Sequence, residues 1–272
     1  MKFSYGIMQG RLSKKIGNKI QAFPEKNWKS EFNIARRLGI KKIEWTLDYK
    51  NFKKNPLLTK KGRAEINKLS KQNFIKIKTL TGDCFMQKPF WKTKNKDLIN
   101  ELIFVIECSG KVGIKYIVVP LVDNGSIENI YQQRKLIEIC SKIKGTLKKN
   151  KIKLIFESDF GPIRLQNFIK KFDKKYFGIN YDTGNSACLG HDINKEFNCY
   201  GKYICNIHIK DRVRWGKTVR LGYGRANFRD LYANLKKIKY KGSLILQTAR
   251  SKNNNEIKEI KVNLDYLKKA SL

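Results

Sequence analysis

The sequence predicts a single-domain α/β protein, a closed (β/α)8 TIM barrel over residues 1–272. Three observations lead there. Short β-rich runs alternate with longer segments of helical period from one end of the chain to the other. That alternation calls for parallel strands joined by crossover helices, and eight such units in 272 residues suit a closed barrel better than an open sheet. No Pro/Gly/Ser-rich stretch marks a domain boundary, and Gly6-Ile7-Met8-Gln9-Gly10 after the first run lacks the spacing of a dinucleotide-binding turn.

The eight runs are Lys2–Met8, Ile40–Thr46, Phe74–Leu80, Ile114–Val119, Ile152–Ser158, Phe177–Asp182, Tyr203–Ile209 and Ser243–Thr248. Each is rich in β-branched and aromatic residues and short enough to cross a barrel once. Between them, Trp28, Phe32, Ala35 and Leu38, or Phe228, Leu231, Leu235 and Ile238, recur at spacings of three and four. Such spacings put the apolar groups on one helix face. Gly222-Tyr223-Gly224 is a second glycine pair, but without a third glycine it gives a nicotinamide site only weak support.

Composition narrows the function. With 41% apolar residues the chain can bury a large core, and no apolar stretch approaches the ~20 residues of a membrane span. The opening residues read as a strand rather than a signal peptide, so a cytoplasmic protein with no membrane partner is expected. Six scattered cysteines without a C-x-x-C pair argue against a zinc ribbon and read as reduced, mostly buried thiols. The net charge of +36 invites a nucleic-acid reading. The excess is almost all lysine, however, spread along the whole chain and accompanied by abundant Asn and Ile, residues with A- and T-rich codons. That pattern fits a solvated surface shaped by genome composition, and nucleic acid is not expected as a partner.

Catalytic groups of such barrels project from the C-terminal ends of the strands. There the fifth to eighth runs present Glu157, Asp182, His208 and Gln247. The neighbours of these residues are largely apolar or aromatic, so the strand period turns the four toward the barrel axis. Two carboxylates, an imidazole and an amide oxygen form a mixed N/O set suited to one divalent ion: Mn²⁺, Mg²⁺, Co²⁺ or Zn²⁺. Taken singly, each carboxylate could be a helix cap. Four polar groups at equivalent points of consecutive strands favour a site. Glu44, ending the second run, is a candidate for substrate hydroxyls, proton exchange or bracing a ligand. Lys78, Lys210, Arg212 and Arg250 are candidate clamps for a phosphate or carboxylate, Arg212 foremost because its guanidinium can pair bidentately.

Around these residues the chain resembles the xylose isomerase-like TIM-barrel superfamily, which holds sugar and sugar-phosphate isomerases and epimerases alongside apurinic endonucleases. The resemblance runs from Gly6-Ile-Met-Gln-Gly-Arg-Leu12 through Leu38-Gly-Ile-Lys-Lys-Ile-Glu44 to the last strand. It is most specific at His208-Ile-Lys-Asp211, Leu221-Gly-Tyr-Gly224 and Asn227-Phe228. It implies a metal-dependent isomerase or epimerase of a small sugar, sugar phosphate or related polyol ketone. Glu157, Asp182, His208 and Gln247 would fall on the family's metal ligands, and Glu157 and Gln247 on its catalytic pair. The family's epimerases place a second glutamate where this chain has Gln247. An amide oxygen can ligate a metal but cannot exchange a proton, so a non-catalytic or altered, dehydratase-like sugar-binding barrel is the alternative. Asn185 stands three residues after Asp182, where several relatives carry a histidine, and is assigned to substrate contact along with Glu44, Lys210 and Arg212. Two histidines are too few for the three-zinc endonuclease branch. Barrels of this kind often form dimers or tetramers, so the resemblance leaves room for a homo-oligomer.

Overall fold

A computed structural model describes residues 3–17, 19–251 and 253–271. Eight parallel strands close into a barrel: β1 (Ser4–Met8), β2 (Lys42–Thr46), β3 (Lys76–Thr81), β4 (Tyr116–Leu121), β5 (Lys153–Ser158), β6 (Phe177–Asp182), β7 (Ile204–Ile209) and β8 (Ser243–Leu246). The closure is β1 against β8, with Gly6 beside Ile245, and each remaining strand pairs with its sequence neighbours. Strand ends fall within two residues of the expected runs, and Phe177–Asp182 coincides with its run. Phe74 does not belong to β3: it adopts φ 55° and closes the helix Lys60–Asn73. Gln247 lies just past β8, yet its N–H still donates to Ile209 O at 2.9 Å and prolongs the ladder. Lys2, included in the first expected run, lies outside the described residues.

The outward faces of the strands carry the core. Phe156 packs among Phe168, Phe172 and Phe177, with ring centroids 5.0–6.1 Å apart, which locks β5 against the helix Pro162–Ile169. Trp28, Phe32 and Ala35 are buried as their spacing predicts, and so are Phe228, Leu231 and Leu235 on the helix Phe228–Lys237. No helix among the described residues is long and apolar enough to cross a membrane.

The loop after β1 folds back over the C-terminal end of the barrel and is held from two sides. The buried Glu31 carboxylate accepts from the Gly10 and Leu12 N–H groups and from Ser13 Oγ. Arg250, after β8, donates to Gly10 O at 2.5 Å and to Ser13 O at 2.8 Å. Arg250 is therefore engaged by the loop rather than free to clamp a substrate.

The tetrapeptide His208–Asp211 divides its labour. Asp211 is fully buried and accepts from the N–H groups of Gly222, Gly224 and Ala226 at 2.9–3.0 Å, which folds the long loop after β7 back onto the barrel. The glycine pair follows from this cradle. Gly222 sits at φ 86°, and a Cβ on Gly224 would lie 2.1 Å from Asp211 Oδ1. Asp211→Ala is expected to strand three N–H groups and lower the unfolding free energy by about 3 kcal/mol, read from the urea midpoint.

Candidate metal centre

Residues paired across the parallel ladders share a face, and the register builds an inward polar layer at the barrel mouth. Asp182 pairs with His208, Asn180 with Asn206, and Glu157 with Pro120. One ligand atom from each of Glu157, Asp182 and His208 falls in a group in which all lie within 4.8 Å of one another. All three residues are buried.

Each side chain is fixed by a neighbour. Asp182 caps the helix Thr183–Leu189 through Oδ1, which accepts from the Asn185 N–H at 2.8 Å. Its other oxygen, Oδ2, makes no directed hydrogen bond and faces Lys210 Nζ at 2.8 Å and His208 Nδ1 at 4.0 Å. The cap and the site are thus the same residue, one oxygen for each. Glu157 Oε1 accepts from Asn185 Nδ2 and Oε2 from Asn180 Nδ2, both at 2.8 Å, with His208 Nδ1 3.0 Å from Oε2. Arg212 donates to Gly216 O through Nε and Nη2 and to Asn185 Oδ1 through Nη1. Its fork positions Asn185, which in turn holds Glu157.

His208 is fully buried between carboxylates, with Nε2 2.6 Å from Glu44 Oε1. Glu44 is itself fully buried and accepts from Thr81 Oγ1 and Asn206 Nδ2. Both its oxygens are engaged, so Glu44 braces the imidazole and leaves Nδ1 facing Glu157 and Asp182. Burial alone would lower the His208 pKa, but the Glu44 carboxylate, joined by Glu157, overrides it and raises the value to about 10. Burial likewise pushes the Glu44 and Glu157 carboxyls up, and His208 outweighs it, so both end below the usual range. The folded metal-free protein therefore holds a proton on His208 that the unfolded chain releases near 6.5. The stabilisation is complete below that value and is lost as pH rises toward about 10. Urea midpoints of metal-free protein should accordingly fall between pH 7 and 9.5.

These residues fit a divalent cation. The donors are one imidazole nitrogen and two carboxylates. Gln247 Oε1 is buried without a hydrogen-bond partner among the described residues, and Asp182 Oδ2 is met by the Lys210 ammonium at 2.8 Å. A carboxylate behind the ligating histidine is the usual way such a ring is oriented. Glu44→Gln is expected to weaken Mn²⁺ affinity about 10- to 100-fold at unchanged stoichiometry, as followed by the signal of free Mn²⁺ in electron paramagnetic resonance.

Sequence reasoning passed over Asn180, Asn206 and Thr81, which satisfy the buried carboxylates. The first two sit two residues before Asp182 and His208, on the same inward face, and polar residues amid apolar runs were the available sign. It also passed over Asp83, buried after β3, whose carboxyl is pushed up to about 8 by burial and then by Asp48 and Glu157. Lys78 lies at the other end of the barrel, where Nζ is 3.3 Å from Gly113 O, ahead of β4.

Comparison with known proteins places the fold in a family. The family model described as xylose isomerase-like TIM barrel matches residues 32–270. A putative L-ribulose-5-phosphate 3-epimerase, SgbU, of Haemophilus influenzae is 23% identical over 265 residues, covering 90% of this chain and 92% of the relative. Among solved structures, D-psicose 3-epimerase with D-tagatose from Clostridium cellulolyticum H10 superposes with a TM-score of 0.78 at 13% identity, covering 99% of both chains. The IOLI protein with a bound zinc atom gives 0.77 at 14% identity, covering 99% of this chain and 98% of the other. At such identities the structural likeness is one of fold.

Proposed function

Because the chain belongs to the xylose isomerase-like TIM barrel family, we propose that it is a divalent-metal-dependent isomerase or epimerase. Its substrate would be a small sugar, sugar phosphate or related polyol ketone. The observation that supports this most is the buried convergence of Glu157, Asp182 and His208, with Gln247 Oε1 buried and without a hydrogen-bond partner among the described residues. A divalent ion held by Glu157, Asp182, His208 and Gln247 would polarise a substrate carbonyl and hold two neighbouring oxygens.

Glu157 is the proton carrier in this proposal. Its carboxylate takes the proton from the carbon next to the carbonyl, and the resulting acid returns it, on the same face, to the former carbonyl carbon. The proton of the neighbouring hydroxyl passes to the former carbonyl oxygen in the same exchange, so atoms and charge balance, and aldose and ketose interconvert. Asn180 and Asn185 hold the carboxylate for that transfer, one on each oxygen. Gln247 offers an amide oxygen and no exchangeable acid, so return from the opposite face, which epimerisation requires, falls to another group or to water.

The test is incubation in D₂O with a panel of ketoses, sugar phosphates and inososes, with and without Mn²⁺. Metal-dependent uptake of solvent deuterium next to the carbonyl of at least one compound is expected. No uptake from any compound by metal-loaded protein would overturn the proposal. It would favour the second reading, a sugar-binding barrel whose chemistry lapsed or changed at Gln247. Gln247→Glu separates the two further: proton exchange rising from zero marks a lapsed site, whereas a fall from measurable activity marks Gln247 as the working residue.

A further inference from the structure

The floor of the barrel, at the N-terminal ends of the strands, carries lysines on two sides. This layer of a (β/α)8 barrel is ordinarily plugged by bulky apolar side chains. Here a cavity of about 480 Å³ opens at the floor, with Lys42, Lys78 and Lys115 on the side of β2 to β4. Lys202, Lys239 and Lys241 line the side of β7 and β8. No Asp or Glu lines it among the described residues. The roof is Asn206 and Thr79, so the cavity reaches the underside of the layer that holds Glu44.

Lys115, Lys202, Lys239 and Lys241 are exposed at the rim, whereas two of the lysines are set deeper. Lys42 and Lys78 are half-buried, and among the described residues their ammonium groups have only neutral partners: Ser243 Oγ at 2.8 Å for Lys42 and Gly113 O at 3.3 Å for Lys78. Lys42 also lies directly beside Lys76 in the ladder. Burial first, and then neighbouring lysines, lower the pKa of both groups. Elsewhere in the chain, exposed lysines find carboxylates, as Lys142 does with Glu138 and Lys268 with Asp265. Gathering like charges in a partly desolvated cavity without a counter-charge costs stability, and an anion in the cavity would repay it.

We propose that the barrel floor is a binding site for a small polyanion carrying two or more phosphate groups, separate from the metal centre at the opposite end. The volume suits one small molecule. Lysines on both sides of the cavity would each meet a phosphate group, which a single phosphate could not span as well. Recognition by point charges rather than by arginine forks makes the site selective for charge number more than for geometry.

The experiment is isothermal titration of the full chain with inorganic tripolyphosphate at about 0.15 M salt, where diffuse surface charge is screened. One site per chain is expected, with inorganic phosphate binding more weakly. Lys42→Gln/Lys78→Gln should weaken tripolyphosphate binding by about tenfold or more. The control Lys14→Gln/Lys15→Gln removes the same charge from the exposed loop at the other end and should leave affinity within about twofold. Because the first pair of substitutions relieves repulsion, that variant should be at least as stable to urea as the parent, which separates lost binding from lost folding. Absence of saturable binding, equal weakening by both variants, or binding indifferent to Lys42 and Lys78 would overturn the proposal.

Discussion

His208→Ala is expected to abolish Mn²⁺ uptake and also to destabilise the metal-free protein, by about 3–5 kcal/mol. The two effects share one cause. The imidazole is 2.6 Å from Glu44 and 3.0 Å from Glu157, and all three groups are buried. Removing the ring takes away the nitrogen ligand and leaves two buried carboxylates without their counter-charge. A polar residue kept only to fill the core would show the second effect and not the first. His208→Gln separates them: it restores bulk and hydrogen bonding, so part of the stability should return while Mn²⁺ binding does not. Urea unfolding of metal-stripped protein and a Mn²⁺ titration of each variant check both halves.

Glu157→Gln is expected to keep the metal and lose the chemistry. The amide retains a ligand oxygen, as Gln247 already offers, but cannot carry a proton. Deuterium exchange into the best substrate should fall by roughly a hundred- to ten-thousandfold, the range for removal of a general base. Metal content should stay near that of the parent. If exchange persists, proton transfer belongs to another group, and Asp83, buried after β3 near Glu157, becomes the residue to examine. If metal and exchange are lost together, Glu157 acts chiefly as a ligand.

The barrel was legible in the sequence because each strand is short, apolar on its outward face and followed by a helix whose apolar spacing is clear. The runs of β5 to β7 keep their site residues in one parity, so the sequence alone turns Glu157, Asp182 and His208 to one inward face. Partnerships across the barrel were not legible. Glu44 and His208 are 164 residues apart and meet only because closure through β1 and β8 brings β2 within reach of β7. Arg212 reads as a free fork until the turn at Gly216 is seen to occupy it. Lys78 was misplaced for a related reason. Phe74 looks like strand but closes a helix, so β3 starts two residues later and Lys78 sits in its lower half. Asp182 shows where a single expectation splits, because its two oxygens serve cap and site separately.

The central claim is a divalent-metal centre at the barrel mouth, and its most direct test is a metal count. Protein stripped with chelator, dialysed against excess Mn²⁺ and freed of unbound ion should retain about one Mn²⁺ per chain by elemental analysis, and Asp182→Ala should retain none. No retained metal in the parent under Mn²⁺, Mg²⁺, Co²⁺ or Zn²⁺, or equal retention in the Asp182→Ala variant, would contradict it.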